Sequence, residues 1–304
     1  MMMSKIASIP EIRSAITDEI FYALGLRRRG VLRRGLGWIF TLPATIFARF
    51  MAMVDQAVAE EGPPAGCQVM LDQLGVAVEV DGRSNIPLDG PTIILANHPG
   101  AYDSMAIGSL LPRKDLKAIV GKTRFFETLP HIHPWLLYVS QDRGENMLAL
   151  RKAIEHLNKG GIMLQFGSGL IEPDPAHQPV SDAVFDKWSP SLEILLRKAP
   201  DTHVVPTIAS GVLLERFLKH PLTRLRKGAM DQRRLAEFRQ IIQQLLFPNS
   251  VDATPCVSFG APFKLADLEM ASDKGSLMPA VIDQVKKQLD CHLNWIGLAN
   301  QNSR

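Results

Sequence analysis

IILANHPGAYDSM, residues 93–105, joins an aliphatic run to Asn97-His98, then to Pro99-Gly100, and places Asp103 five residues beyond the histidine. Ile93–Ala96 is apolar at odd and even positions alike. A strand of that kind is buried on both faces, as in a parallel sheet covered by helices. Pro99-Gly100 is turn chemistry. Asp103 then suits the first turn of a helix, where the macrodipole favours a carboxylate. The stretch therefore reads as strand, turn and helix, the unit from which α/β sheets are built.

The same alternation extends outward. VAVEV (76–80), TIILA (92–96), LKAIV (116–120), LLYVS (136–140), IMLQF (162–166), HVVPTIAS (203–210) and PCVSF (255–259) read as strands. Residues 103–111, 145–159, 190–198, 230–246 and 277–293 read as helices between them. The expected fold is α/β: a mixed, mostly parallel sheet flanked by helices, with an N-terminal helical segment. In that segment Ile16, Ile20 and Leu24 recur at helical spacing, and a second helix is expected to open at Pro43. Gly62-Pro63-Pro64-Ala65-Gly66 breaks the pattern. The expected division is 1–66, helical and membrane-associating, and 67–304, the α/β domain.

The 304 residues suffice for a sizeable core, and the net charge of +3 is modest. Three scattered cysteines with no CxxC pair exclude a disulfide framework or zinc knuckle and suggest a reducing compartment. The N-terminal residues lack the apolar core of a secretory signal. LGWIFTLPATIFA (36–48) is uncharged but shorter than the roughly 20 residues that cross a bilayer. With RRRGVLRR (27–34) beside it, it suits a chain lying on an anionic membrane surface, peripheral on the cytoplasmic face. A second basic stretch holds Arg224, Arg226, Lys227, Arg233 and Arg234. With no aromatics interleaved, it lacks the stacking platforms of a nucleic-acid site. It suits a solvated helix face, or steering of an anionic carrier.

Chemistry in such sheets gathers where strands end and helices begin. There the turn can fold His98 onto Asp103, so that one ring nitrogen meets the carboxylate and the other faces outward as a base. This is a catalytic base and its orienter without a protein nucleophile, which a substrate hydroxyl must then supply. Spacing alone is weak evidence: with eight histidines and 31 acidic residues, about one His-x4-acid pair arises by chance. His177 and Asp182 form another, in a proline-rich loop with no strand before it. A competing reading takes Ser168, between Gly167 and Gly169 after a strand, as a hydrolase nucleophile. The G-x-S-x-G pattern is not met, because Phe166 and Leu170 occupy its outer positions. A catalytically inactive, lipid-binding protein is the third possibility.

Asn97-His98-x4-Asp103 resembles the first motif of the phospholipid and glycerol acyltransferase family, which includes lysophosphatidate acyltransferases. Further pieces follow in the family's order over residues 70–293. Lys122, in AIVGKTRFF, with Pro130 after it, resembles a lysine that follows the next strand. YVSQDRG, with Arg143, resembles the second motif. LQFGSGL, with Phe166, Gly167, Ser168 and Gly169, occupies the place of the third, F-P-E-G-T-R. VVPTIASG, with Pro206, resembles the fourth, and VSFGAPFKL the late strand. The third motif departs from the pattern. Gly167 replaces proline, Ser168 replaces glutamate, and Leu170-Ile171 replace threonine-arginine. The resemblance implies that the lost pair helps hold a phosphate-bearing acceptor, so loss of the arginine removes a bidentate clamp.

The resemblance further implies direct transfer from acyl-CoA or acyl carrier protein to a hydroxyl or amine of a lipid acceptor. His98 and Asp103 would be catalytic, and Asn97, Lys122, Arg143, Phe166, Gly167, Ser168, Gly169 and Pro206 would line the substrates. Backbone N–H groups near Gly167–Gly169 are the expected oxyanion donors. Neither metal nor cofactor is expected.

Overall fold

The computed structural model describes residues 7–23, 31–100, 102–226, 228–247, 249–271 and 276–302, with only the backbone at 22–23, 31–37, 39, 225, 271 and 298–302. Leu24, Arg27–Arg29 and Lys227 therefore lie outside the described residues, as do the side chains of Arg33 and Arg34.

Three helices come first: α1 (Ile9–Ala23), α2 (Val31–Glu61) and α3 (Pro63–Leu74). Strands and helices then alternate: β1 (Glu79–Asp81), β2 (Thr92–Ala96), α4 (Asp103–Ser109), β3 (Lys117–Gly121), α5 (Arg124–Glu127), β4 (Leu136–Val139), α6 (Arg143–Asn158) and β5 (Ile162–Phe166). After them come α7 (Asp182–Phe185), α8 (Ser191–Lys198), β6 (His203–Ser210), α9 (Glu215–Leu218), α10 (Ala229–Leu246), β7 (Cys256–Phe259), α11 (Leu265–Ala271) and α12 (Met278–Asn302).

The expected opening of a helix at Pro43 is corrected: Pro43 lies inside α2. Proline removes one backbone donor there, but Phe40 before it packs on Phe21 of α1 and the buried face of Ala44, Ala48, Met51 and Val54 follows it. The Gly-Pro-rich break is a one-residue turn. Gly62 adopts a φ of 92°, and Pro63 starts α3 at once, where its missing N–H costs no helical bond. Gly66 lies inside α3 because the helices press together: a Cβ there would meet Val58 Cγ2 at 2.3 Å.

The seven strands form one sheet in the order β1-β7-β6-β2-β5-β3-β4. β6, β2, β5, β3 and β4 run parallel, and β7, with β1 alongside it, runs antiparallel to β6. Of VAVEV only Glu79 and Val80 join the sheet, and the strand there ends at Asp81. In β2, Ile93 and Leu95 face a core with α6, α8 and α12, while Ile94 and Ala96 face α4. Alternate residues thus point to opposite covered faces, which explains the unbroken aliphatic run. A third cluster packs α2 and α3 against Tyr102 of the loop after β2 and Ala236 of α10.

β2 sits between β5 and β6, and the chain leaves β2 and β5 toward opposite faces. A crevice opens outside the carboxyl ends of parallel strands at such a switch point.

Candidate active site

At the end of β2 the side chain of Asn97 takes over the ladder. Its Nδ2 donates to the Ala209 carbonyl at 2.9 Å, and its Oδ1 accepts from the Ala209 N–H at 2.8 Å. This pins the exit of β2 to β6 and leaves the next residue, His98, to rise from the sheet. The turn then closes on Asp103, the first residue of α4, whose side chain is fully buried.

Asp103 Oδ2 accepts from Gly100 N–H at 3.0 Å and contacts His98 Nδ1 at 2.7 Å; Oδ1 accepts from Ser104 N–H at 2.6 Å. A carboxylate only accepts, so the Nδ1 contact places a proton on that nitrogen. His98 Nε2 has no protein partner among the described residues, and a quarter of the side chain is exposed. Ala96 and Phe166 are level in the β2–β5 register. The Phe166 ring therefore stacks on the His98 imidazole, with centroids 4.4 Å apart at 19°.

Burial alone would lower the His98 pKa. The Asp103 carboxylate outweighs it, aided by Glu237 and Glu172, and the ring is pushed up to about 9. Both glutamates are themselves raised, chiefly by burial, and Glu237 reaches about 8. The imidazolium and the surrounding acids thus titrate as a set.

The altered third motif forms the neighbouring wall. Trp188 lies on Gly167, where a Cβ would meet its ring at 2.0 Å. The Trp188 indole N–H donates to Glu172 Oε1 at 3.0 Å, and the Ser168 hydroxyl donates to the same oxygen at 2.5 Å. The hydroxyl is thus turned to a carboxylate rather than to a histidine. The Glu172 N–H donates to the His98 carbonyl at 2.7 Å, tying this loop to the first motif. The Gly167 N–H donates to the Ala96 carbonyl at 2.9 Å. This corrects its assignment as an oxyanion donor: the β5 ladder runs one residue past Phe166 and consumes that group.

Asn97, His98, Asp103, Phe166, Gly167 and Ser168 are thus brought together, with Gly169 on the exposed tip of the loop at a φ of 64°. Lys122 stands just past β3, its Nζ 2.5 Å from Glu145 Oε1. Arg143 is exposed at the start of α6. Pro206 lies within β6, opposite Leu95. The Pro206 carbonyl accepts from the Gly260 N–H at 2.8 Å, just past the end of β7, so its nitrogen faces that edge of the strand and not the ladder with β2. Pro206 therefore serves the sheet and stands apart from the cluster. Asp182 pairs with Lys286 at 2.6 Å, away from His177.

Three groups on α10 were not singled out as site residues. Glu237 is buried beside the turn: a Cβ on Gly100 would lie 3.5 Å from its Oε1. Arg233 reaches the altered motif, Nη1 donating to the Ile171 carbonyl at 3.5 Å and Nη2 to Gln178 Oε1 at 2.8 Å. Arg234 and Glu237 line a cavity of about 870 Å³ bounded by α1, α2, α10 and the end of β3. A smaller apolar cavity of about 140 Å³ lies under α2, α3 and α4, reaching Ser104 and Met105 beside Asp103.

Among the described residues no helix is long and apolar enough to cross a membrane, and no cluster of three metal-ligating side chains occurs. No protein-family model matches the chain, and no curated protein matches it. Among solved structures the chain is similar to the 1-acyl-sn-glycerophosphate (LPA) acyltransferase PlsC from Thermotoga maritima. The two are 16% identical with a TM-score of 0.45 over 95% of this chain and 97% of that one.

Proposed function

We propose that the protein is an acyltransferase. It moves an acyl group from a thioester, on coenzyme A or acyl carrier protein, to a hydroxyl or amine of a lipid acceptor. The reading is carried by the 2.7 Å contact between His98 Nδ1 and Asp103 Oδ2, at the carboxyl ends of a parallel sheet, with Nε2 left open. The order of degenerate motifs along the chain supports it.

Neutral His98 takes the acceptor's proton at Nε2 as the oxygen or nitrogen attacks the thioester carbonyl. The carbonyl electrons move onto oxygen, then return as the carbon–sulfur bond breaks, and the imidazolium gives its proton to the departing thiolate. Asp103 holds the tautomer and stabilises the imidazolium between the two steps. General base action of this kind contributes roughly 10²–10⁴-fold. The N–H groups of Ser168 and Gly169 remain as oxyanion donors from the third-motif loop. Because the carboxylates hold a proton on His98, the neutral base is the minor form near neutrality, and the rate rises with pH.

Trp38 and Leu42, one turn apart on α2, are 76% and 65% exposed. An exposed apolar face of this sort suits docking on an anionic membrane surface, with the protein peripheral to it. The deciding experiment measures thiol release from an acyl thioester in the presence of an alcohol acceptor. His98→Ala abolishes release and Ser168→Ala retains it. Loss in Ser168→Ala alone, with a stable acyl-serine, would replace this reading with a serine hydrolase.

A further inference from the structure

The cavity between α1, α2 and α10 has two unlike ends. Ile16, Phe47, Ile241 and Leu245 give it an apolar wall, and Thr123, Arg234 and Glu237 give it a polar end. Two buried oxygens in that polar lining, Thr123 Oγ1 and Glu237 Oε1, have no hydrogen-bond partner among the described residues. An unpartnered buried polar group is costly, so two on one cavity mark a place for a ligand's polar atoms. Glu237 Oε1 also abuts Gly100, whose N–H is bonded to Asp103. The polar end therefore meets the catalytic turn. The volume, about 870 Å³, is within the range of roughly 300–1,000 Å³ for ligand sites.

The charges decide the head group. Among the described residues the cavity's lining holds three acids, Asp18, Glu19 and Glu237, against two cations, Lys122 and Arg234, and Lys122 is paired with Glu145. A phosphate monoester needs a surplus of cations, and in this lining acids outnumber them. Pro43 and Ala44 line the cavity, and the exposed Trp38 and Leu42 precede them on α2. A chain held at a lipid surface can thus enter alongside that face.

We infer that this cavity is the acceptor site and takes a single-chain amphiphile with an uncharged, hydroxyl-bearing head. The head is held by Glu237 and Thr123 beside His98, and the chain runs along α2 and α10. The inference rests on the acyltransfer reading for the fate of that hydroxyl, but the occupancy of the cavity is tested without turnover.

The probe is a monoacylglycerol with a photoreactive diazirine at its chain end, bound to the full chain without thioester and mapped by mass spectrometry. Label is expected on the α10 segment around Ile241–Leu245 and the α2 segment around Ala44–Phe47. Unlabelled monoacylglycerol should compete about tenfold better than lysophosphatidate. Ile241→Trp, which fills the cavity, should lower labelling about tenfold. Label in the smaller cavity around Met70 and Met105, no specific label, or equal competition by lysophosphatidate would overturn the inference. His98→Ala should label like the wild type while losing transfer. If it labels but keeps transfer, the acyltransfer reading falls and the cavity assignment stands.

Discussion

Asp103→Asn isolates the charge of the orienting carboxylate while nearly preserving shape. Asp103 Oδ2 faces two groups, His98 Nδ1 and the Gly100 N–H, and Oδ1 faces the Ser104 N–H. An amide has only one acceptor oxygen. With its oxygen toward Ser104, the NH₂ meets the Gly100 N–H head-on and forces His98 to accept at Nδ1, which puts the proton on the nitrogen meant to be the base. With the oxygen toward His98, the tautomer survives but the NH₂ opposes the Ser104 N–H. Either way one buried donor loses its acceptor, at about 1–3 kcal/mol of stability. Both orientations also remove the charge that stabilises the imidazolium, so the general-base contribution of roughly 10²–10⁴ falls away, about 3–5 kcal/mol of barrier. The same loss lowers the His98 pKa, because burial then acts without the main opposing cause. The assay is thiol release from an acyl thioester at saturating acceptor, followed as a function of pH. The expected profile has a much lower plateau whose rising limb has moved to lower pH than the wild type's. A plateau within a factor of about three of the wild type would refute the assignment of Asp103 as orienter, as would an unmoved limb.

Three other outcomes test separate parts of the structure. Gly167→Ala drives a methyl into the Trp188 ring, costing about 1–3 kcal/mol in chemical unfolding, and lowers transfer by displacing Phe166 and Glu172. His292, buried between Ser210 Oγ and Ser258 Oγ, has its pKa lowered from 6.5 to about 4 by burial. The unfolded chain binds the extra proton first, so stability is intact above 6.5 and falls by roughly 3 kcal/mol as pH drops to about 4; His292→Gln should flatten that slope in urea titrations. Changing exposed Trp38 and Leu42 together to Ser should abolish pelleting with anionic liposomes without lowering the melting temperature, whereas an equal loss of both would mark the pair as part of the core.

What the sequence made legible was local. A buried strand, a Pro-Gly turn and a helix-opening acid lie within thirteen residues, and the His98–Asp103 contact follows from their order. The strands β2, β5 and β6 were equally plain, since each is an aliphatic run bounded by turn residues. Misreadings arose where local chemistry was overruled by packing. Pro43 reads as a helix start, yet it sits inside α2, where the packing of Phe40 on Phe21 before it and the buried face from Ala44 onward after it outweigh one lost bond. The Gly167 N–H reads as free after a strand, yet the register with β2 claims it.

The acids of the site were hidden for another reason. Nothing in AEFRQ marks Glu237 as different from any helical surface glutamate; its meaning depends on where α10 is docked. That docking is fixed by Gln240, one turn on, which donates to Tyr102 Oη at 2.6 Å and to the Val212 carbonyl at 2.8 Å, and so grips the turn on which His98 stands. Tyr102 and Gln240 are 138 residues apart in the chain. Once α10 is clamped there, Glu237 must bury against Gly100, and ionising it would set a further negative charge near Asp103. Burial chiefly, with the charge of Asp103 adding to it, raises the Glu237 pKa to about 8, which favours the neutral carboxyl near pH 7. A neutral carboxyl can donate a hydrogen bond as well as accept one. Ser168 stands where the resembled family's third motif has a glutamate, yet an acid still reaches the site, from a distant helix and in a form able to hydrogen-bond a hydroxyl.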